Sequence, residues 1–268
     1  MKRADYNPSA IFRNLTALFF FAALLVILQV NDTRLLIMWG ICLLFLVMNR
    51  SMRLFLLTTL VFGIGFYVYG YMGSNWHITA DSKELLKILN RLSLIFIIIP
   101  FLILSFIYKT PAISYWQKPD WNKMIPIPFI WAGFHQTKAG IFLFVAMMTN
   151  LMVFTPFMIK SGWTYIQGIF LFMIIFSILN AVLEEIIWRG ILLSRFSEDF
   201  GSKWAVILTS VGFGLQHYSL GFSWVSCVFF IFGGFFFGAI TVTTKSIIPA
   251  IIWHMFINAL MVLSGMII

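Results

Sequence analysis

Seven residues in the last third of the chain have types and spacings suited to chemistry: Glu184, Glu185 and Arg189, then Phe213 and His217, then His254 and Asn258. All lie in or beside apolar runs. A charged side chain inside a bilayer costs about 2.5 to 3.5 kcal/mol on translocon scales, so ionisable residues at membrane depth mark a functional site by default. A carboxylate beside imidazoles can take a proton from water. A second imidazole and an amide can donate hydrogen bonds to the oxyanion that forms when a peptide carbonyl turns tetrahedral. Together these describe peptide hydrolysis without a covalent nucleophile. Glu184, His217 and His254 can equally hold one Zn²⁺, leaving an open position for water. The residues alone leave both forms open. Other hydrolytic signatures are missing: there is no His-Glu-x-x-His and no Gly-x-Ser-x-Gly, and Asp5, Asp32, Asp81, Asp120 and Asp199 fall in expected loops or termini.

These side chains must be delivered by helices. His254 and Asn258 are four residues apart and share a helix face, as do Glu185 and Arg189, and Phe213 and His217. Glu184 and Glu185 lie about 100° apart around a helix, so they cannot face the same point. The economical division gives Glu184 to the histidines and Glu185 to Arg189 as a buried ion pair, with the reverse assignment as the alternative. With the inner membrane surface placed at Arg195, Ser202 and Lys245, a rise of 1.5 Å per residue sets Glu184 at ~16 Å, His217 at ~22 Å, His254 at ~14 Å and Asn258 at ~20 Å above it. Three spans are thus expected to bring polar groups to one layer.

The remainder of the chain supplies the spans. Of its 268 residues 61% are hydrophobic and 10% charged, against about 45–50% and 25% in a soluble domain. This composition reads as an all-α, polytopic transmembrane helical bundle. Nine apolar runs qualify as spans (15–30, 35–48, 54–72, 92–108, 139–158, 164–188, 204–218, 222–242 and 247–268), of which the second is short and the seventh polar at its end, so the expectation is 8–9 spans. Residues 109–138, with four prolines and three tryptophans, read as an interfacial loop. This loop closes an N-terminal region, 1–138, ahead of a core, 139–268, that holds the chemistry. Gly233, Gly234 and Gly238 read as close helix packing. Cys42 and Cys227 sit in apolar runs and suggest neither a disulfide framework nor a thiolate metal site. His77 and His135 read as solvated loop residues.

The formal charge of +9 does not form the clustered basic, aromatic footprint of a nucleic-acid binder, so no nucleic-acid partner is expected. It is better explained by loop charges on the inner membrane face. With the N-terminus inside, twelve lysines and arginines fall on the inner side and five (Arg34, Lys83, Lys87, Arg91 and Lys160) on the outer. The first run follows Lys2, Arg3 and Arg13, but Asn31-Asp32-Thr33-Arg34 follows it in place of a small-residue cleavage site, so it reads as a retained span.

The pattern Glu184-Glu185-x-x-x-Arg189, with Trp188-Arg189-Gly190 closing it, then Phe213-x-x-x-His217, then His254-x-x-x-Asn258, resembles the CPBP family of intramembrane proteases, which includes the Ras-converting type of CAAX endopeptidases. The resemblance covers roughly residues 164–264. It implies Glu184 as the water-activating base with His217, His254 and Asn258 as the oxyanion-stabilising pair, and Glu185, Arg189 and Phe213 in support. It leaves metal dependence open. The substrates it implies are membrane-associated peptides or proteins: prenylated C-termini in eukaryotic members, and pheromone precursors or bacteriocin-related targets in bacterial ones. The expected setting is a bacterial plasma membrane with a cytoplasmic N-terminus. The competing readings are a catalytically inactive scaffold or immunity protein, and a proton-coupled transporter. A transporter would usually show broken or repeated helical halves, and the sequence displays neither.

Overall fold

A computed structural model describes residues 8–76, 81–109 and 111–267 of the chain. The readings of Lys2, Arg3, Asp5 and His77 lie outside these residues. Among the described residues the architecture is helical throughout, apart from one hairpin: α1 Pro8–Val30, α2 Thr33–Leu46, α3 Arg53–Asn75, α4 Lys83–Leu92, α5 Ile95–Tyr108, β1 Met124–Pro128, β2 Gly133–Lys138, α6 Ala139–Ser161, α7 Trp163–Glu185, a π-helical stretch Ile186–Leu192, α8 Leu193–Gln216, a 3-10 turn His217–Leu220, α9 Trp224–Thr244 and α10 Ile248–Leu263. Each apolar run of the sequence carries a helix. Among the described residues six helical segments are long and apolar enough to cross a membrane, and α2 and α10 are shorter apolar helices. On α6 only 6% of the most apolar window is buried, and such a surface requires lipid as its solvent.

Three departures from the sequence reading matter. Helix begins at Lys83 rather than Leu92, because the Ser82 hydroxyl accepts the Leu85 N–H and Glu84 occupies the first turn. α4 and α5 then read as one candidate span from Lys83 to Tyr108. The polar stretch 189–203, expected as a connection, is helical up to Gly201, whose φ of 74° breaks the run. Within 109–138 lies a two-stranded antiparallel hairpin, with Met124 opposite Lys138 and Pro128 opposite Gly133.

Contacts divide the chain into two compact units, the first comprising Met1–Gly63 and Arg195–Phe235, the second Ile64–Ser194 and Phe236–Ile268. The first unit is built on aromatic packing. Phe196 meets Phe21 and Phe55 with ring centroids 5.2 and 5.3 Å apart, and the Trp39 indole donates to the Phe20 carbonyl at 3.0 Å. α8 and the first part of α9 approach closely through Gly214. A Cβ there would lie 2.6 Å from the Cys227 carbonyl oxygen and nearer still to the Ile231 side chain. Gly234 likewise faces Ser210, whereas Gly233 has nothing within 4 Å. Gly214→Ala should therefore lower stability by about 1–3 kcal/mol through overpacking. Gly233→Ala is the matched control with no loss, and thermal unfolding in detergent reads both.

In the second unit the segment before the hairpin is stitched to two helix junctions. The Ser114 N–H donates to Ser194 Oγ at 3.0 Å, and the Ile247 N–H to the Tyr115 carbonyl at 3.0 Å. Ser246 Oγ donates to the Gln117 carbonyl at 2.5 Å. The expected interfacial loop is thus tied to the start of α8 and to the α9–α10 turn.

Candidate active site

Glu184 and Glu185 are the last two residues of α7, where the helix passes into the π-helical stretch. A π insertion widens one turn and recurs at functional sites. Here it leads directly into Trp188, Arg189 and Gly190, all buried. Gly190 faces the Ile113 side chain, to which an added Cβ would come within 3.3 Å, and its carbonyl accepts from Ser194 Oγ. α10 supplies the facing side chains. Pro249 in its first turn needs no N–H partner there, and His254 and Asn258 follow on one buried face.

The second unit brings Glu184, Glu185, Arg189 and His254 into one cluster. Both carboxylates are buried, with 1% and 0% relative exposure. Glu185 Oε1 accepts from Arg189 Nη1 at 2.8 Å and from His254 Nδ1 at 2.8 Å. The expected Glu185–Arg189 ion pair is present, but Glu185 is not given over to it alone, because α10 packs on α7 so that the imidazole reaches the same oxygen. Since Nδ1–H is spent on Glu185, Nε2 is the His254 atom left for other chemistry. It stands 3.8 Å from Glu184 Oε2. The His254 ring stacks on Phe237 with centroids 5.1 Å apart, and the Arg189 guanidinium lies over the same ring at 5.2 Å.

Among the described residues the Oε2 atoms of Glu184 and Glu185, and Nδ2 of Asn258 one turn beyond His254 on α10, make no hydrogen bond. Buried groups are rarely left so. A separation of 3.8 Å is too long for a direct hydrogen bond and suits one bridging water.

Phe213 and His217 belong to the first unit. The His217 ring meets Phe213 edge-on at 4.9 Å and stacks on Phe230 at 3.9 Å. Its Nδ1 lies 2.7 Å from the Phe213 carbonyl oxygen. A carbonyl only accepts, so the proton sits on Nδ1, and Nε2 of the neutral ring carries the lone pair. Gln29 grips the turn that begins at His217, accepting from the Ser219 N–H at 2.8 Å and donating to the Leu215 carbonyl at 3.1 Å.

The donor set of the second unit does not fit a zinc ion. Among the described residues no three His, Cys, Asp or Glu side chains are grouped so as to hold a metal. The Arg91 and Arg189 guanidinium groups already lie 3.2 and 2.8 Å from the two carboxylates, supplying the positive charge that a dication would bring.

Sequence reasoning missed Arg91. Assigned to the outer surface, it is instead buried, with 6% relative exposure, and donates from Nη1 to Glu184 Oε1 at 3.2 Å and to Asn180 Oδ1 at 3.3 Å. A signal was present: two intramembrane carboxylates accompanied by one arginine leave a charge unmatched, and buried charges are paired.

Compared with known protein families, residues 166–260 match the model for the Type II CAAX prenyl endopeptidase Rce1-like family. No curated protein and no solved structure matches the chain. All seven motif residues fall inside the matched segment. Over this segment the chain is similar to the CAAX prenyl endopeptidases, as the order of its motifs leads one to expect.

Proposed function

We propose that the protein is an intramembrane endopeptidase hydrolysing peptide bonds of membrane-associated peptides or proteins, with Glu184 activating the water. The observation that carries this reading is the pair Glu184 Oε2 and His254 Nε2, both buried and 3.8 Å apart, with Oε2 lacking any hydrogen bond among the described residues. A water between them would give a proton to Glu184 as its oxygen attacks the scissile carbonyl, and Glu184 would pass that proton to the amine as the C–N bond breaks. Asn258, one turn from His254, has an amide with hydrogens to offer the oxyanion, and His254 donates from Nε2 once its ring is charged. Glu185 and Arg189 orient His254 through Nδ1. His217 is assigned to the same reaction by the order of the motifs, with Phe213 in support. The proposed division of the chain sets this chemistry in 139–268. The proposed setting is a bacterial plasma membrane; the distribution of lysine and arginine supports a cytoplasmic N-terminus.

The experiment compares membrane peptides accumulating in cells that carry the wild type or Glu184→Gln. A peptide that persists only with Glu184→Gln identifies the substrate. Identical peptide profiles, with the variant inserted and folded, overturn the reading. Because the two guanidinium groups already supply the counter-charge beside the carboxylates, cleavage of that peptide by purified protein should continue at an unchanged rate in 1,10-phenanthroline. Loss of activity restored by added Zn²⁺ would return zinc to the site.

A further inference from the structure

Arg91 lies outside the matched segment and outside every motif quoted above, yet its guanidinium is buried and makes four hydrogen bonds. Nη1 donates to Glu184 Oε1 and Asn180 Oδ1, and Nη2 donates to Asn90 Oδ1 at 2.7 Å and to the Tyr69 hydroxyl at 3.1 Å. The Tyr69 hydroxyl in turn donates to Asn90 Oδ1 at 3.0 Å. Acceptors from α3, α4 and α7 thus fix a planar group whose donors form a rigid fork. Here Arg91 engages Oε1 and leaves Oε2 without a hydrogen bond in a buried site. That arrangement is unfavourable on its own, and it becomes sensible if Oε2 is kept for water.

We propose that Arg91 is a positioning residue for hydrolysis, tethering Glu184 Oε1 so that Oε2 is the oxygen presented beside His254 Nε2. The inference rests on the endopeptidase reading above. It brings a residue of the N-terminal region into the reaction, where motif order alone gives that region no part.

The assay uses full-length protein in lipid nanodiscs and the peptide that accumulates with Glu184→Gln. Arg91→Gln should lower kcat about 100-fold, the scale on which a misplaced catalytic group is felt, with KM within about 2-fold of the wild type. Arg91→Lys, which keeps the charge, should recover at least about a tenth of the wild-type kcat. Tyr69→Phe and Asn90→Ala each remove one tether and should lose about 3- to 10-fold in kcat; they carry the test if Arg91→Gln does not fold. The proposal is overturned if folded Arg91→Gln keeps the wild-type kcat, if the loss lies in KM, if Arg91→Lys is as slow as Arg91→Gln, or if the two tether variants are unchanged where Arg91→Gln is unfolded. Should no peptide accumulate with Glu184→Gln, the endopeptidase reading fails and this inference with it. Should Glu184→Gln be inert while Arg91→Gln turns over normally, this inference alone fails.

Discussion

Glu184→Gln lowers kcat by about 10³-fold while the protein still inserts and folds. The size is that of a general base removed from a hydrolysis, roughly 10² to 10⁴. The choice of glutamine separates chemistry from architecture. Its side-chain carbonyl can still accept from Arg91 Nη1, as Glu184 Oε1 does at 3.2 Å, so the contact between α4 and α7 survives. What disappears is the basic oxygen 3.8 Å from His254 Nε2. Single-turnover cleavage of the accumulated peptide, read beside the unfolding temperature of the same preparation, checks the result. Activity within a few-fold of the wild type would remove Glu184 from the mechanism.

Arg189→Met lowers stability by about 3–5 kcal/mol, the range found when one partner of a buried ion pair is taken away. Arg189 is fully buried, lies 2.8 Å from Glu185 Oε1 and covers the Phe237 ring. Without it, Glu185 keeps His254 as a donor but loses its permanent counter-charge, next to a second carboxylate. Glu185→Gln removes the carboxylate charge 2.8 Å from Arg189 and falls in the same range. The double substitution Glu185→Gln with Arg189→Met recovers part of the loss, because neither charge is then stranded. Thermal unfolding in detergent reads all three variants. Losses below about 1 kcal/mol, as for an exposed pair, would show that the pair is not buried in the membrane-embedded protein.

The local facts of this protein were legible without coordinates. Apolar run length marks the helices, since a chain in lipid must satisfy its backbone internally. The one-turn spacings of Glu185 with Arg189 and of Phe213 with His217 reappear as contacts at 2.8 and 4.9 Å, because helical phase is a local property. The π-helical stretch was not legible, as nothing in Ile186-Ile187-Trp188-Arg189-Gly190-Ile191-Leu192 distinguishes an inserted residue from a regular turn. The hairpin was hidden by Pro126 and Pro128 in β1, which read as breakers although proline is tolerated on an edge strand.

By itself, then, the sequence determined that the chain is a bundle of helices apolar enough for lipid and marked the side chains expected to do chemistry. Tertiary structure alone decided how charge is shared among them. Glu185 is held by both Arg189 and His254, and Glu184 is held by an arginine 93 positions away. Spacing along one helix fixes which residues share a face. The partner that meets that face depends on how separate helices rotate and pack, and no local pattern encodes this. The opening pair of carboxylates thereby acquires two arginines in place of one, and Oε2 of Glu184 is left without a hydrogen bond among the described residues.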